Sequence, residues 1–183
     1  DNEITEVILS GGDPLTLTNR RLGTLIDQLD ALEHLETLRI HTRFPIVLPE
    51  RVDNGLVDLL AATRLRVVLV VHCNHAQEID RSVDTALSRL GSAGTTVLNQ
   101  SVLLDGVNDD ADTLVELSRR LFAAGALPYY LHELDRVAGA AHFEVEASRA
   151  LALIDAIRSR LPGYLVPRLV RETPGALSKT VLA

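Results

Sequence analysis

The sequence predicts an α/β protein in which strands and helices alternate. Three observations support this. Five stretches carry apolar residues at helical spacing, six short apolar runs lie around them, and successive runs start roughly 30 residues apart, which suits a βαβ unit. Several runs are apolar nearly throughout, as expected for parallel strands covered on both faces. Successive right-handed βα units make either an open doubly wound sheet or a barrel, and both put ligands at the carboxyl ends of strands. Nothing reads as an internal linker, so residues 1–183 are expected to form one domain.

The elements follow in order. The first run, Glu6–Ser10, stops at Gly11, Gly12, Asp13 and Pro14. Two adjacent glycines let the backbone come close to a ligand, and an acid past a strand end can accept hydrogen bonds from ribose hydroxyls or an ammonium. An ordinary strand-to-helix turn would use the same residues. The first helix carries Leu22, Leu25, Ile26 and Leu29 on one face, with Thr18 or Asn19 as cap. The run Thr37–His41 follows, then a helix with Pro49 near its first turn that buries Val52, Leu56, Leu59 and Leu60. After Leu65–His72 comes a helix with Ile79, Val83, Leu87 and Leu90, stopped by Gly91. The run Thr96–Leu103 leads through the cap cluster Asn108, Asp109 and Asp110 to a helix burying Leu114, Leu117 and Leu121. Last come Leu127–Leu134, a helix with Ala147, Leu151, Ile154 and Leu161, and the run Tyr164–Val170.

Polar residues collect at the carboxyl ends of these runs. In order they are Ser10 to Asp13; His41, Thr42 and Arg43; His72, Cys73, Asn74 and His75; Asn99 and Gln100, then Asp105 and Asn108; His132, Glu133, Asp135 and Arg136; and Arg171, Glu172 and Lys179. Such a collection suggests a site where strand ends converge. The spacing of His72, Cys73 and His75 matches no strong zinc pattern, and no metal ligand is assigned. His41 and His132 read either as ligand contacts or as hydrogen-bonded strand histidines. Lys179, just past the last strand, can form a Schiff base with an aldehyde cofactor or a carbonyl substrate, or can simply be solvated.

Composition narrows the function classes. At 46% hydrophobic residues the chain is globular, and no apolar run approaches the ~20 residues needed to cross a bilayer. The net charge is −7 with no basic stripe, which argues against nucleic-acid binding. The single cysteine excludes an internal disulfide and fits a reducing, cytoplasmic compartment. No methionine occurs and the chain opens at Asp1, so it is expected to be a fragment of a longer protein.

Seven segments resemble the lysine 2,3-aminomutase family of radical S-adenosylmethionine (SAM) enzymes: Leu9–Leu15, Arg39–Arg43 with Pro45 and Pro49, His72–His75, Gln100–Asp109, Pro128–His132, Leu134–Phe143 and Gly163–Pro167. Leu134–Gly139 and Asn74–Asp80 look closest to the branch that makes (R)-β-lysine for elongation factor P. The resemblance implies an incomplete, TIM-like (βα) barrel of the radical SAM type with about six parallel strands. It implies S-adenosylmethionine, pyridoxal phosphate and a [4Fe-4S] cluster as cofactors, with the cluster's CxxxCxxC ligands outside this chain. Cys73 does not belong to that motif. Carried over residue by residue, Gly11, Gly12 and Asp13 would receive the amino and ribose end of S-adenosylmethionine, and His72 and Gln100 would touch the same molecule. Lys179 would hold pyridoxal phosphate as a Schiff base, and Asp135 would bind the distal ammonium of substrate lysine. Glu172 takes the place of a second family acid that is usually aspartate, which puts two carboxylates around one ammonium.

The implied reaction is conversion of L-α-lysine to (R)-β-lysine, an isomerisation. Two other readings stand beside it: a Schiff-base aldolase using Lys179 without iron, and a folded fragment without turnover. Nucleic acid and membrane are not expected partners, and a homo-oligomer is one assembly the reading admits.

Overall fold

The computed structural model describes residues 2–135, 139–173, 175–176 and 178–183. Arg136, one of the strand-end polar residues, lies outside the described residues. So do Val137 and Ala138 of the Leu134–Phe143 motif, and Pro174 and Leu177 before Lys179. Seven strands follow chain order from β1 to β7. The contacts group into two compact units.

The first unit comprises residues 1–72, 80–98 and 124–126. Strands β1 (Glu6–Leu9), β2 (Thr37–His41) and β3 (Arg66–Val71) pair in parallel, with Ile8 opposite Arg39 and Arg39 opposite Val68. Helix α1 (Asn19–Asp30) is capped by the Thr18 hydroxyl and buries Leu22 and Ile26. The segment expected to be one helix from Pro49 is broken up. Helix α2 (Phe44–Val47) and a 3-10 turn at Pro49–Arg51 precede α3 (Asn54–Ala62), which Asp53 caps by accepting from Leu56 N–H at 2.7 Å. Proline fits at the start of a turn, but the better cap at Asp53 sets where the long helix begins. Helix α4 (Arg81–Ser92) starts at the Asp80 cap and runs through Gly91 to Ser92, one residue beyond the expected stop. Gly94, at φ +81°, makes the exit instead.

Leu38, Ile40, Leu69, Leu87 and Leu90 are fully buried in this unit. Each such side chain contributes about 1.5–3 kcal/mol by leaving water. The strands are less evenly covered than expected. In β2, Leu38 and Ile40 are buried while Thr37, Arg39 and His41 are half-buried. Ile8 on β1 is 45% exposed. One face packs under helices, and the other carries Arg39, which pairs with Glu6 at 2.8 Å.

The second unit comprises residues 73–79, 99–123 and 127–183. It contains the later part of β4 (Thr96–Val102), helix α5 (Ala111–Ala123), most of β5 (Ala126–His132), α6 (Ala147–Arg158), β6 (Arg168–Arg171) and β7 (Thr180–Val181). Strands β5 and β6 are parallel. The unexpected strand β7 is antiparallel to β6, with Val170 opposite Val181 and Arg171 opposite Thr180. The core gathers Leu103, Leu114, Val115, Leu131, Ile154, Ile157 and Leu169. Leu151, expected on the buried face of α6, is 41% exposed, and Ala150, Leu153, Ile154 and Ile157 form that face instead. No helix among the described residues is long and apolar enough to cross a membrane.

Candidate active site

In the first unit the candidate residues sit where β1, β2 and β3 end. Gly11 has φ +103°, a conformation that excludes L side chains without strain, and a Cβ built there meets nothing within 4 Å. The glycine is therefore required by backbone shape rather than by crowding. Gly11 and Gly12 are exposed. Asp13 is tied back into the protein. Its Oδ1 accepts from Leu15 N–H at 3.0 Å and from the Thr42 hydroxyl at 2.7 Å, and its Oδ2 accepts from Arg43 N–H at 2.7 Å. Thr42 is 2% exposed and in turn accepts from Phe44 N–H at 3.1 Å. Asp13 thus joins the end of β1 to the end of β2. His72 lies past β3, its ring centroid 6.4 Å from that of His41 in an edge-on arrangement.

In the second unit a buried polar cluster fixes the loop after β3. Asn99 on β4 is 1% exposed. Its Oδ1 accepts from Cys73 N–H at 2.8 Å, and its Nδ2 donates to the Cys73 carbonyl at 3.0 Å and to the Ser101 hydroxyl at 2.9 Å. The side-chain amide thereby satisfies both backbone groups of a residue beyond the strand. Glu78 accepts from Asn74 and His75 N–H at 2.6 and 2.7 Å, and His75 Nδ1 accepts from Gln77 N–H at 3.1 Å. His75 is thus a capping residue, and among the described residues no cluster of histidine, cysteine and acid could hold a metal ion. Gln100 is half-buried, on the opposite side of β4 from Asn99 and Ser101.

Lys179 and Glu172 are brought together by register. The pairing that sets Arg171 opposite Thr180 makes Glu172 and Lys179 the next opposed positions, and their side chains form an ion pair. Lys179 Nζ also stands 5.9 Å from the centre of the Tyr130 ring. The Tyr130 hydroxyl bonds that of Tyr129 at 2.9 Å, and its ring meets His132 at 5.7 Å. The hydrogen bond and charge of Lys179 hold the Glu172 carboxyl below its ordinary range, with a smaller contribution from His132. Beside this pair, Arg171 donates to Glu133, whose side chain is 11% exposed. Asp135 is exposed just beyond β5.

Lys179 is the one lysine in the sequence; every other long cationic side chain is arginine. That count is legible without any structure and marks Lys179 as the sole side-chain amine available for imine chemistry. The residues therefore fit an aldehyde cofactor at Lys179, and the exposed glycine backbone fits the polar end of a nucleoside-bearing cofactor. They do not fit a [4Fe-4S] cluster. Cys73 is the only cysteine, it is fully buried, and burial, with the nearby Glu78 charge, pushes its thiol up to about 12. The roles of Tyr130 and Glu78 had no distinct sequence signal beyond an acid three residues after His75. A surface groove between α3 and α4, lined by Val57, Ala61, Thr85 and Ser88, contains none of the candidate residues.

Over 182 residues the chain is 50% identical to the L-lysine 2,3-aminomutase of Haemophilus influenzae, covering 100% of this chain and 54% of that protein. The corresponding figures for the Escherichia coli L-lysine 2,3-aminomutase are 49%, 98% and 53%. The chain is a relative of the L-lysine 2,3-aminomutases. It spans about half the length of the curated relatives it matches, and no family model matches it. Among solved structures, a radical SAM methyltransferase from Sphaerobacter thermophilus superposes with a TM-score of 0.66 at 19% identity, covering 92% of this chain and 51% of that one. A domain of a pyruvate-formate lyase-activating enzyme from Bacteroides vulgatus gives 0.61 at 12% identity, covering 91% and 98%. These likenesses show that the chain shares the fold of the methyltransferase and of the activating-enzyme domain.

Proposed function

We propose that the 183 residues form the carboxyl-terminal part of a radical SAM barrel domain in a cytoplasmic, pyridoxal phosphate-dependent lysine 2,3-aminomutase. The reaction is conversion of L-α-lysine to (R)-β-lysine, and the product serves modification of elongation factor P. Identity near one half to named lysine aminomutases supports the reaction class. The observation that carries the site reading is the pairing of the chain's only lysine with Glu172. When bound, the cofactors supply radical generation and an electron-accepting imine.

The chain's own residues bind and orient. Gly11 and Gly12 offer exposed backbone to the amino end of S-adenosylmethionine, and Asp13 fixes their course. His72 and Gln100 supply further contacts to the same cofactor. Lys179 supplies the amine for pyridoxal phosphate. Asp135 and Glu172 offer carboxylates to the distal ammonium of lysine, and neither needs to transfer a proton. The cluster would be held by cysteines outside these residues, so the 183 residues alone would not turn over.

The test is Lys179→Ala in the full-length protein. It should lose the imine absorbance and nearly all lysine mutase turnover, and an unchanged imine band would remove Lys179 from this role. A Schiff-base aldolase would use the same amine but would keep its activity without S-adenosylmethionine.

A further inference from the structure

We propose that the Tyr130 ring is the platform against which the aromatic ring of the aldehyde cofactor packs once it is joined to Lys179. The inference rests on the reading of Lys179 as the cofactor amine, and deepens it by naming the side chain that orients the cofactor.

Three observations carry it. Lys179 Nζ stands over the Tyr130 ring, 5.9 Å from its centre. Paired aromatic rings keep their centres about 4.5–7 Å apart. An aromatic aldehyde joins Nζ through a single carbon, so its ring is carried within packing reach of Tyr130. Second, the platform is itself held in place. Tyr130 lies within β5, and the buried His132 meets its ring edge-on at 5.7 Å. The Tyr129 ring lies 3.8 Å from it, and the two hydroxyls bond at 2.9 Å. A side chain already fixed by such neighbours loses little freedom when a ligand packs on it. Third, aromatic residues are scarce here. Hydrophobic residues make up 46% of the chain and aromatic ones 3%, so a chance apolar neighbour of the only lysine would be aliphatic. Two of the three tyrosines stand there instead.

A flat aromatic neighbour does two things that an aliphatic one does not. Its quadrupole favours an offset or edge-on partner ring, which fixes the tilt of the cofactor about the bond to Nζ. It also covers one side of that ring, leaving the opposite side for the substrate. The Tyr130 hydroxyl is engaged with that of Tyr129, so the part offered to the cofactor is the ring.

The test uses the full-length protein, stripped of pyridoxal phosphate and titrated with it, with imine absorbance as the readout and no turnover required. Tyr130→Leu should weaken cofactor binding about two- to tenfold, the range for one aromatic pair beyond its buried area. Tyr130→Phe keeps the ring, gives up the hydroxyl, and should stay within about twofold of wild type. Full-length protein labelled with 3-fluorotyrosine supplies an arm that does not depend on the leucine variant folding. The Tyr130 fluorine resonance, identified by its loss in Tyr130→Phe, should shift when the cofactor is joined to Lys179 and fixed there by borohydride. Equal affinity in all three proteins, equal weakening in Tyr130→Phe and Tyr130→Leu, or an unmoved Tyr130 resonance overturns the inference while leaving Lys179 as the cofactor amine. No imine band in the wild type overturns the cofactor reading and the inference together.

Discussion

Replacing Asp13 tests whether the glycine loop is held by its neighbouring acid. The Asp13 carboxylate accepts three hydrogen bonds, two from backbone N–H groups and one from the Thr42 hydroxyl. Hydrogen bonds to a charged group are each worth about 1.5–3 kcal/mol net, so an undiscounted sum is about 5–9 kcal/mol. Two corrections lower it. The Arg43 N–H lies at an exposed position and rehydrates when its acceptor goes. The buried Thr42 hydroxyl keeps its bond from Phe44 N–H. Asp13→Ala should therefore cost about 2–4 kcal/mol. Asp13→Asn keeps an acceptor for Leu15 and Thr42 but turns an amide N–H toward Arg43 N–H, and should cost about 1–2 kcal/mol. Urea unfolding of the chain, read as a midpoint change at constant slope, measures both. A loss below about 0.5 kcal/mol for Asp13→Ala would refute the claim that this carboxylate ties β1 to β2.

Two further outcomes follow from buried groups in the second unit. Asn99→Ala strips the partner from the N–H of Cys73, while the Cys73 carbonyl keeps its bond from the Ser101 hydroxyl, and should cost about 1–3 kcal/mol in the same assay, with Asn99→Asp also damaging because the Cys73 carbonyl then faces an acceptor. Cys73, with its thiol pushed up to about 12, stays protonated at pH 8; a disulfide reagent should label it only after unfolding, and rapid labelling of the folded chain would contradict the burial.

The alternation of strands and helices was legible because it rests on periodicity, which one sequence carries in full. Helix starts were legible to within a residue where neighbouring caps agreed, as at Thr18 or Asn19, of which Thr18 is the cap. They were misplaced where signals competed. Pro49 and Asp53 both announce a helix start, and only packing decides that Pro49 opens a short turn. Gly91 looked like a stop, but a lone glycine costs a helix only about 1 kcal/mol, too little to end one with α4's buried face. For the site, the sequence indicated which residues lie at strand ends, but not what each side chain is already committed to. Asp13 looked free for a ligand, yet its oxygens are engaged by Leu15, Thr42 and Arg43. The union of Glu172 with Lys179 depends on a two-residue strand too short for any periodicity to reveal.

That short strand imposes a rule of parity. Side chains alternate across a strand, so a one-residue slip of Thr180–Val181 against Arg168–Arg171 would turn the amine to the reverse side of the ladder. A slip of two residues keeps the facing. The rule binds the register of Arg168–Arg171 against Thr180–Val181, not the length of the segment that joins them.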